Sequence, residues 1–174
     1  MATRLFWPLC RLANPMKIET ANNRFFSLTV ERYEFPDEEL GPTEYNPADE
    51  FETGRFLVVS HGIRNADGEW NTRGPTMTTN ELQRFVDWLN LILNGSPPTD
   101  GIYFTERDLE FTYDASARNL CVHLFRDFLP PWIGSADHVT IEFSVNEIDL
   151  ESAINSLQSQ LDAFPGRPPI RNAT

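Results

Sequence analysis

Residues 78–95, TTNELQRFVDWLNLILNG, carry the clearest helix signal in the chain. Thr78 and Glu81 have the spacing of a capping box, in which each side chain accepts a hydrogen bond from the other residue's backbone N–H. Apolar side chains then recur with the period of a helix, and Gly95 ends the pattern ahead of two prolines. We therefore predict an amphipathic helix whose apolar stripe is Leu82, Phe85, Val86, Leu89, Ile92 and Leu93, with Trp88 beside it.

Strand patterns come before this helix. Residues 24–34 alternate apolar and polar side chains, as a half-buried strand does, and Pro36 ends the pattern. Residues 56–59 are an unbroken apolar run typical of a central strand. Residues 65–68, Asn-Ala-Asp-Gly, predict a hairpin turn because glycine tolerates the positive φ that such turns need. The returning strand would carry Trp70.

Strand patterns also follow the helix, at residues 102–104, 109–113, 119–126 and 139–145, with a Pro-Pro-Trp corner at 130–132. A second helix is predicted at 150–164, with Asp149 as its N-cap. Most strand connections are too short for parallel crossovers. The sequence therefore predicts an α+β fold, with about six or seven strands in a mainly antiparallel sheet and two helices, one mid-chain and one C-terminal.

The 174 residues suit one domain, which we place at residues 16–174. Residues 1–15 contain Arg4 and Arg11 but no acid, and the strand pattern begins at Met16. We expect residues 1–15 to be an upstream extension or a disordered segment. A secretory signal peptide is the alternative, although Pro8 and Arg11 interrupt the apolar run that it would need.

The composition excludes several function classes. The chain has 26 acidic and 14 basic side chains and a net charge of −12, whereas binding to a phosphate backbone relies on clustered Lys and Arg. No stretch approaches the roughly 20 apolar residues of a membrane span. The two cysteines, Cys10 and Cys121, form neither a disulfide framework nor a four-ligand zinc site. We therefore expect neither a nucleic acid nor a membrane as a partner.

Candidate catalytic groups are few. Glu106, Asp108 and Glu110 would share one face of a regular strand, but glycosidases usually draw their two carboxylates from separate segments. Cys121 and His123 also share a strand face, although a structural cysteine is commoner than an activated one. No nucleophile elbow, phosphate-cradling glycine loop or dinucleotide fingerprint is present. The chain is therefore not predicted to be an enzyme, and no cofactor is expected.

The three histidines, His61, His123 and His138, are widely spaced along the chain. A metal site would favour two of them at short spacing on one face, or a shared cluster. We interpret all three as solvated or hydrogen-bonded strand histidines and predict no metal ligand.

Two surface features remain as candidate binding elements. The acid-rich segment at residues 37–52 is interpreted as a long exposed loop, either merely solvated or an electrostatic docking surface for a basic partner. Aromatic side chains in or beside turns, including Tyr33 and Phe35, would pack at the core edge or, if exposed together, anchor an interface. The candidate binding residues are Asp37, Glu38, Glu39, Glu44, Asp49, Glu50 and Glu52, with Tyr45, Trp70 and Trp132.

The order of these motifs resembles a known family. Arg-Tyr-Glu-Phe-Pro at residues 32–36 is followed by Phe-Leu-Val-Val at 56–59 and by Trp70. Then come Thr-Met-Thr-Thr-Asn-Glu-Leu at 76–82, Phe-Val-Asp-Trp-Leu at 85–89 and Phe-Thr-Glu-Arg-Asp-Leu-Glu-Phe at 104–111. Over about residues 25–145 the chain is similar to the WapI-type immunity proteins, bacterial antidotes of polymorphic toxins. The shared motifs concern packing and capping, and none is catalytic.

The resemblance implies a cytoplasmic, non-enzymatic protein that binds and blocks the toxin domain of its own strain. We therefore expect a protein partner, with a basic toxin domain as the candidate, and a monomer or dimer. Two alternatives stay open. One is a hydrolase-like enzyme that uses Glu106, Asp108, Glu110 or His123, and the other is a scaffolding domain of a larger assembly.

Overall fold

The structure, a computed structural model, describes residues 14–35, 56–134 and 137–166, which form eight strands and two helices. Helix α1 spans Thr79–Leu93 and helix α2 spans Leu150–Ala163. A short 3-10 helix lies at Arg126–Phe128. The strands are β1 (Met16–Glu19), β2 (Phe25–Tyr33), β3 (Phe56–Asn65), β4 (Gly68–Thr78), β5 (Ile102–Tyr103), β6 (Leu109–Asp114), β7 (Asn119–Phe125) and β8 (His138–Ser144).

The strands form two antiparallel sheets, each built from four strands in sequence order. The first sheet is β1-β2-β3-β4 and the second is β5-β6-β7-β8. α1 connects the two sheets, and α2 follows the second. Neighbouring antiparallel strands need only a turn between them, which suits the short connections in the sequence. The predicted α+β fold with antiparallel strands and two helices is confirmed.

The strand count differs slightly from the prediction, with eight strands in place of six or seven. β1 and β5 have four and two residues, so they are too short to show a strong alternation of their own. The predicted single sheet is divided in two because α1 separates β4 from β5, and no ladder joins the two sets of strands in the described residues.

Both helices begin with the predicted caps. Thr78 Oγ1 accepts a hydrogen bond from the Glu81 N–H at 3.2 Å, and the Glu81 carboxylate accepts one from the Thr78 N–H at 2.8 Å. Asp149 accepts a bond from the Ser152 N–H at 2.9 Å at the start of α2. After α1, Gly95 adopts a φ of 71°, a conformation that glycine enters without steric cost. The helix boundaries are therefore encoded locally.

One hydrophobic core joins the two sheets and the helices. Phe26 of β2 meets Phe111 of β6 edge to face, with their ring centroids 5.5 Å apart. Phe85 of α1 packs on Phe111 at 4.4 Å and on Phe104 at 5.7 Å, and all four phenylalanines are fully buried. α1 therefore supplies the centre of the core.

Gln160 of α2 is a fully buried polar residue in this framework. Its Oε1 accepts a hydrogen bond from the Val30 N–H at 2.6 Å, and its Nε2 donates to the Asn14 and Leu28 carbonyl oxygens at 3.3 Å each. In the β1–β2 register Met16 faces Leu28, so a continued ladder would place Asn14 opposite Val30. The Gln160 amide is therefore inserted where a backbone bond between β1 and β2 would otherwise form.

Candidate binding surface

The predicted acidic loop lies outside the described residues. Its seven candidate acids, Asp37, Glu38, Glu39, Glu44, Asp49, Glu50 and Glu52, lie there together with Tyr45, so their part in binding stays a prediction. The described residues on either side of the loop are adjacent, because the Glu34 N–H donates to the Phe56 carbonyl oxygen at 2.7 Å. The end of β2 and the start of β3 therefore lie side by side in the first sheet.

The two predicted tryptophans contact each other but differ in exposure. Trp132 is 47% exposed, whereas Trp70 on β4 is only 5% exposed. Their rings meet edge to face, with centroids 5.5 Å apart and planes at 86°. The Trp70 indole N–H donates to the Phe128 carbonyl oxygen at 3.0 Å, which satisfies its one polar group. Trp132 is therefore the solvent-exposed member of the pair, and the buried Trp70 packs against it.

The β3–β4 turn brings a glycine against Trp132. The Asn65 side-chain oxygen accepts from the N–H groups of Asp67 and Gly68 at 2.9 and 3.2 Å, which fixes the predicted turn. A Cβ built on Gly68 would stand 2.8 Å from the Trp132 ring, closer than van der Waals contact allows. Gly68 therefore forms the predicted turn and also leaves room for the Trp132 indole.

The predicted aromatic residues do not all come together. Tyr33 lies at the loop end of β2, where it faces Leu57 in the register and packs edge to face on Phe164. The Trp70–Trp132 pair lies near the turn that begins at Asn65, at the other end of β3. At about 3.3 Å per residue, the eight steps from Leu57 to Asn65 separate the two ends by roughly 26 Å.

Basic side chains near the hairpin are already paired. The Arg64 guanidinium forms an ion pair with Glu69 at 2.9 Å and lies 3.8 Å from Glu19. Arg126, close to Phe128 in sequence, forms an ion pair with Asp108 at 2.5 Å. By contrast, no ion pair within the described ranges involves the exposed Asp67 or Asp127. Within the described residues, Asp67 of the hairpin turn and Asp127 of the 3-10 helix therefore carry negative charge that no ion pair neutralises.

The three candidate catalytic carboxylates do not share a strand face, which corrects the prediction from their spacing. β6 begins only at Leu109, because a turn precedes it in which Arg107 has a φ of 50° and donates to the Phe104 carbonyl oxygen. Asp108 is turned toward Arg126, and burial raises the pKa of its carboxyl group although the guanidinium opposes this. Only Glu110 lies on the strand.

Cys121 and His123 do lie on the half-buried outer face of β7, as predicted. His123 bridges two hydroxyl groups, with Nε2 2.8 Å from Thr112 Oγ1 and Nδ1 2.9 Å from Thr140 Oγ1. Burial and the nearby Glu142 carboxylate raise the pKa of the Cys121 thiol, whereas an activated thiolate needs a lowered one. The arrangement fits a structural cysteine beside a hydrogen-bonded histidine.

His61 is a core residue rather than a solvated one. It is 1% exposed, between the rings of Phe26 and Phe128, and burial lowers its pKa to about 3. Its Nδ1 lies 3.4 Å from Thr72 Oγ1, and its Nε2 has no hydrogen-bond partner within the described residues. His123 is hydrogen-bonded, as predicted. His61 is not solvated and has only one long contact with a hydroxyl group, because the alternation of β3 turns its side chain toward the core.

The described residues offer neither a metal cluster nor a membrane-spanning helix. Residues 14–35, 56–134 and 137–166 contain no group of three His, Cys, Asp or Glu side chains that could hold a metal ion. No helix described is long and apolar enough to cross a membrane. A shallow polar groove of about 420 Å³ runs along α2, lined by Asn14, Asp149, Glu151, Ser152, Asn155, Ser156 and Ser159. None of the candidate catalytic groups lines it.

The sequence analysis did not identify Asp67, Gly68 and Asp127 as candidate binding residues. Asp67 and Gly68 were read only as turn formers, and Asp127 showed no pattern at all. The usable signal was the Pro-Pro-Trp corner at residues 130–132, in which an aromatic residue follows two prolines in a connection between strands.

Comparison with known proteins gives a single family. Searches found no match among curated proteins and none among solved structures. The sequence profile described as "Immunity protein WapI-like family" matches residues 17–165 of the 174. This range includes both sheets and both helices, and it extends the resemblance noted from the motifs in both directions. The chain therefore belongs to the WapI-like immunity protein family.

Proposed function

We propose that this protein neutralises the toxin of its own cell by direct, stoichiometric binding in the cytoplasm, and that its acidic surface meets a basic face of the toxin domain. The observation that carries the proposal is membership of the immunity protein family over residues 17–165. An immunity protein has a toxin as its partner, and binding needs no catalytic group.

The charge of the chain supports a basic partner. The net charge is −12, and acidic residues outnumber basic ones in the described ranges as well as in the loop. Oppositely charged surfaces speed association and exclude wrong partners. α2 illustrates the imbalance, because Glu151 and Asp162 are not matched by any basic residue within the helix.

The test is an inhibition titration with the purified toxin domain of the same strain. Neutralisation by binding requires that inhibition be complete near one equivalent and that active toxin be recovered after denaturing separation. Inactivation by much less than one equivalent, or a changed toxin mass, would instead establish the hydrolase-like alternative. No inhibition at any ratio would refute the proposal.

The scaffolding alternative has a different signature. A scaffold would self-associate through a contiguous apolar patch, whereas an immunity protein is expected to be a monomer or dimer. Sedimentation velocity over a hundredfold range of concentration distinguishes the two. Growth of the particle beyond a dimer would favour the scaffold.

The acidic loop is tested by neutralising its charges. Substituting Glu38, Glu39, Asp49, Glu50 and Glu52 with their amides is expected to slow association and to flatten its dependence on salt, since peripheral charges act mainly on the association rate. The double variant Glu50→Gln/Glu52→Gln removes two charges from the loop. Its matched control, Glu151→Gln/Asp162→Asn, removes two charges from α2. Equal effects of the two pairs would reduce the loop's role to net charge alone.

A further inference from the structure

The indole of Trp132 is held in place before any partner arrives. The Ile133 N–H donates to the Pro130 carbonyl oxygen at 3.0 Å, which closes a β-turn with Pro131 and Trp132 at its two central positions. Proline is favoured at the first of these positions because its fixed φ suits the turn. Trp70 and Gly68 support the ring itself. A side chain fixed in this way loses little conformational entropy when it binds.

Two acidic residues are next in sequence to residues that hold this tryptophan pair. Asp67 precedes Gly68, which contacts the ring, and Asp127 precedes Phe128, whose carbonyl oxygen holds Trp70. Both carboxylates are exposed, and neither belongs to an ion pair in the described part of the chain. An indole face with nearby unpaired carboxylates suits Lys and Arg side chains, because the ring attracts cations and the carboxylates pair with them.

We propose that a corner surface, formed by Asp67, Gly68, Asp127, Pro131 and Trp132, binds a Lys- or Arg-rich face of the toxin domain, with Trp132 as its central contact. This inference rests on the proposed function and names the surface that it uses. Tryptophan is among the residues enriched at the hot spots of protein interfaces, together with tyrosine and arginine. Trp70 is a positioning residue here, since it touches Trp132 and not the partner.

Other exposed apolar side chains fit this role less well. Tyr103 is 56% exposed, but the guanidinium of Arg107 already lies over its ring, 5.8 Å from the centroid. Leu91 and Leu93 of α1 are 45% and 43% exposed, and an aliphatic side chain offers a cation no favourable face. Of these side chains, only Trp132 is an exposed aromatic residue with no cation over its ring among the described residues.

The corner surface and the acidic loop act on different parts of the binding process. The loop joins the first sheet roughly 26 Å from the β3–β4 turn, as the spacing along β3 requires. Residues that far apart contribute to the free energy of binding nearly independently. Loop substitutions should change the association rate, whereas Trp132 substitutions should change the dissociation rate.

The first experiment measures binding of the full chain to the purified toxin domain of the same strain. Trp132→Ala is expected to raise the Kd at least about 30-fold, mostly through faster dissociation. The matched control Tyr103→Ala, another exposed aromatic residue, should change it less than about threefold. Asp67→Asn/Asp127→Asn should slow association more than Glu151→Gln/Asp162→Asn, which removes the same charge from α2.

The outcomes separate the two proposals. If the wild-type chain does not bind or inhibit the toxin domain, the proposed function fails and the corner surface fails with it. If the wild-type chain inhibits the toxin but Trp132→Ala binds within about threefold of it, the corner surface is refuted and the proposed function stands. Far-ultraviolet circular dichroism and thermal unfolding of each variant establish that it is folded.

A second measurement does not depend on the stability of the alanine variant. Trp132→Phe keeps an aromatic ring, and comparison with the wild type isolates the fluorescence of Trp132. Relative to its quenching of free N-acetyltryptophanamide, caesium should quench this emission more than iodide does, and Asp67→Asn/Asp127→Asn should reduce the difference, since the two carboxylates attract cations to the ring. Equal relative quenching by the two ions, or no effect of the two substitutions, would overturn the acidic character of the corner.

Discussion

Gln160 provides the sharpest test of how the first sheet and α2 are joined. The perturbation is Gln160→Ala, which removes the acceptor of the Val30 N–H and two donors to backbone carbonyl groups. Both Gln160 and Val30 are buried, at 0% and 2% exposure, so water does not replace the lost partner. Gln160→Leu keeps most of the side-chain volume and so isolates the polar contribution.

The expected magnitude follows from these three hydrogen bonds. A buried N–H left without a partner costs about 1–3 kcal/mol, and each of the two longer bonds contributes about 0.5 kcal/mol. We therefore expect Gln160→Ala to lower the free energy of unfolding by about 2–4 kcal/mol. For a domain of this size that corresponds to a fall in Tm of roughly 4–16 °C.

The assay is urea unfolding followed by tryptophan fluorescence and circular dichroism, with Gln158→Ala as the matched control. Gln158 lies on the exposed side of the same helix, where its side-chain amide donates a hydrogen bond to the Asp162 carboxylate at 3.1 Å. The control should change stability by less than about 0.5 kcal/mol. The reasoning would be refuted if the two alanine variants differed by less than about 1 kcal/mol, because an unsatisfied buried donor costs at least that much.

Three further predictions concern buried or partly buried groups. Glu81→Gln should lower the free energy of unfolding by about 2 kcal/mol, and Thr78→Ala by about 1 kcal/mol. The effect at Glu81 is larger because its carboxylate also accepts two hydrogen bonds from Thr105. Urea unfolding measures both variants. His61 stays neutral when folded, since burial lowers its pKa to about 3. The free energy of unfolding should therefore fall as pH drops below about 6.5, by up to about 1.4 kcal/mol per unit, and His61→Leu should flatten that slope. Cys121 should react with iodoacetamide more slowly than free cysteine at pH 8, because burial raises the pKa of its thiol. Mass spectrometry of a Cys10→Ser variant measures the rate of this reaction. A reaction faster than that of free cysteine would contradict the structure.

The fold could be predicted largely because its elements carry local signals. Thr78 and Glu81 form the capping box three residues apart, and Asp149 caps α2 through a bond to Ser152. The alternation in β2 and β7 records which side chains face the core. A single sequence shows these signals because the caps and the alternation are patterns among residues only a few positions apart.

The candidate site was predicted less completely. Trp132 was identified as a candidate anchor, but its support by Trp70 and Gly68 joins positions about 60 residues apart, and no periodic pattern records such a contact. The spacing of Glu106, Asp108 and Glu110 suggested a shared face, yet Arg126 draws Asp108 into an ion pair from 18 positions away. Local patterns do not reveal partners of that kind.

By itself, the sequence determined the α+β class, the helix boundaries, the hairpin at Asn65 and the acidic character of the chain. It also supplied the motifs that resemble the immunity family. The tertiary structure decided the division into two sheets, the burial of Gln160 and His61, and the exposure of Trp132 above Trp70. The physical reason is that periodicity and capping depend on neighbours along the chain, whereas burial and pairing depend on residues that only folding brings together.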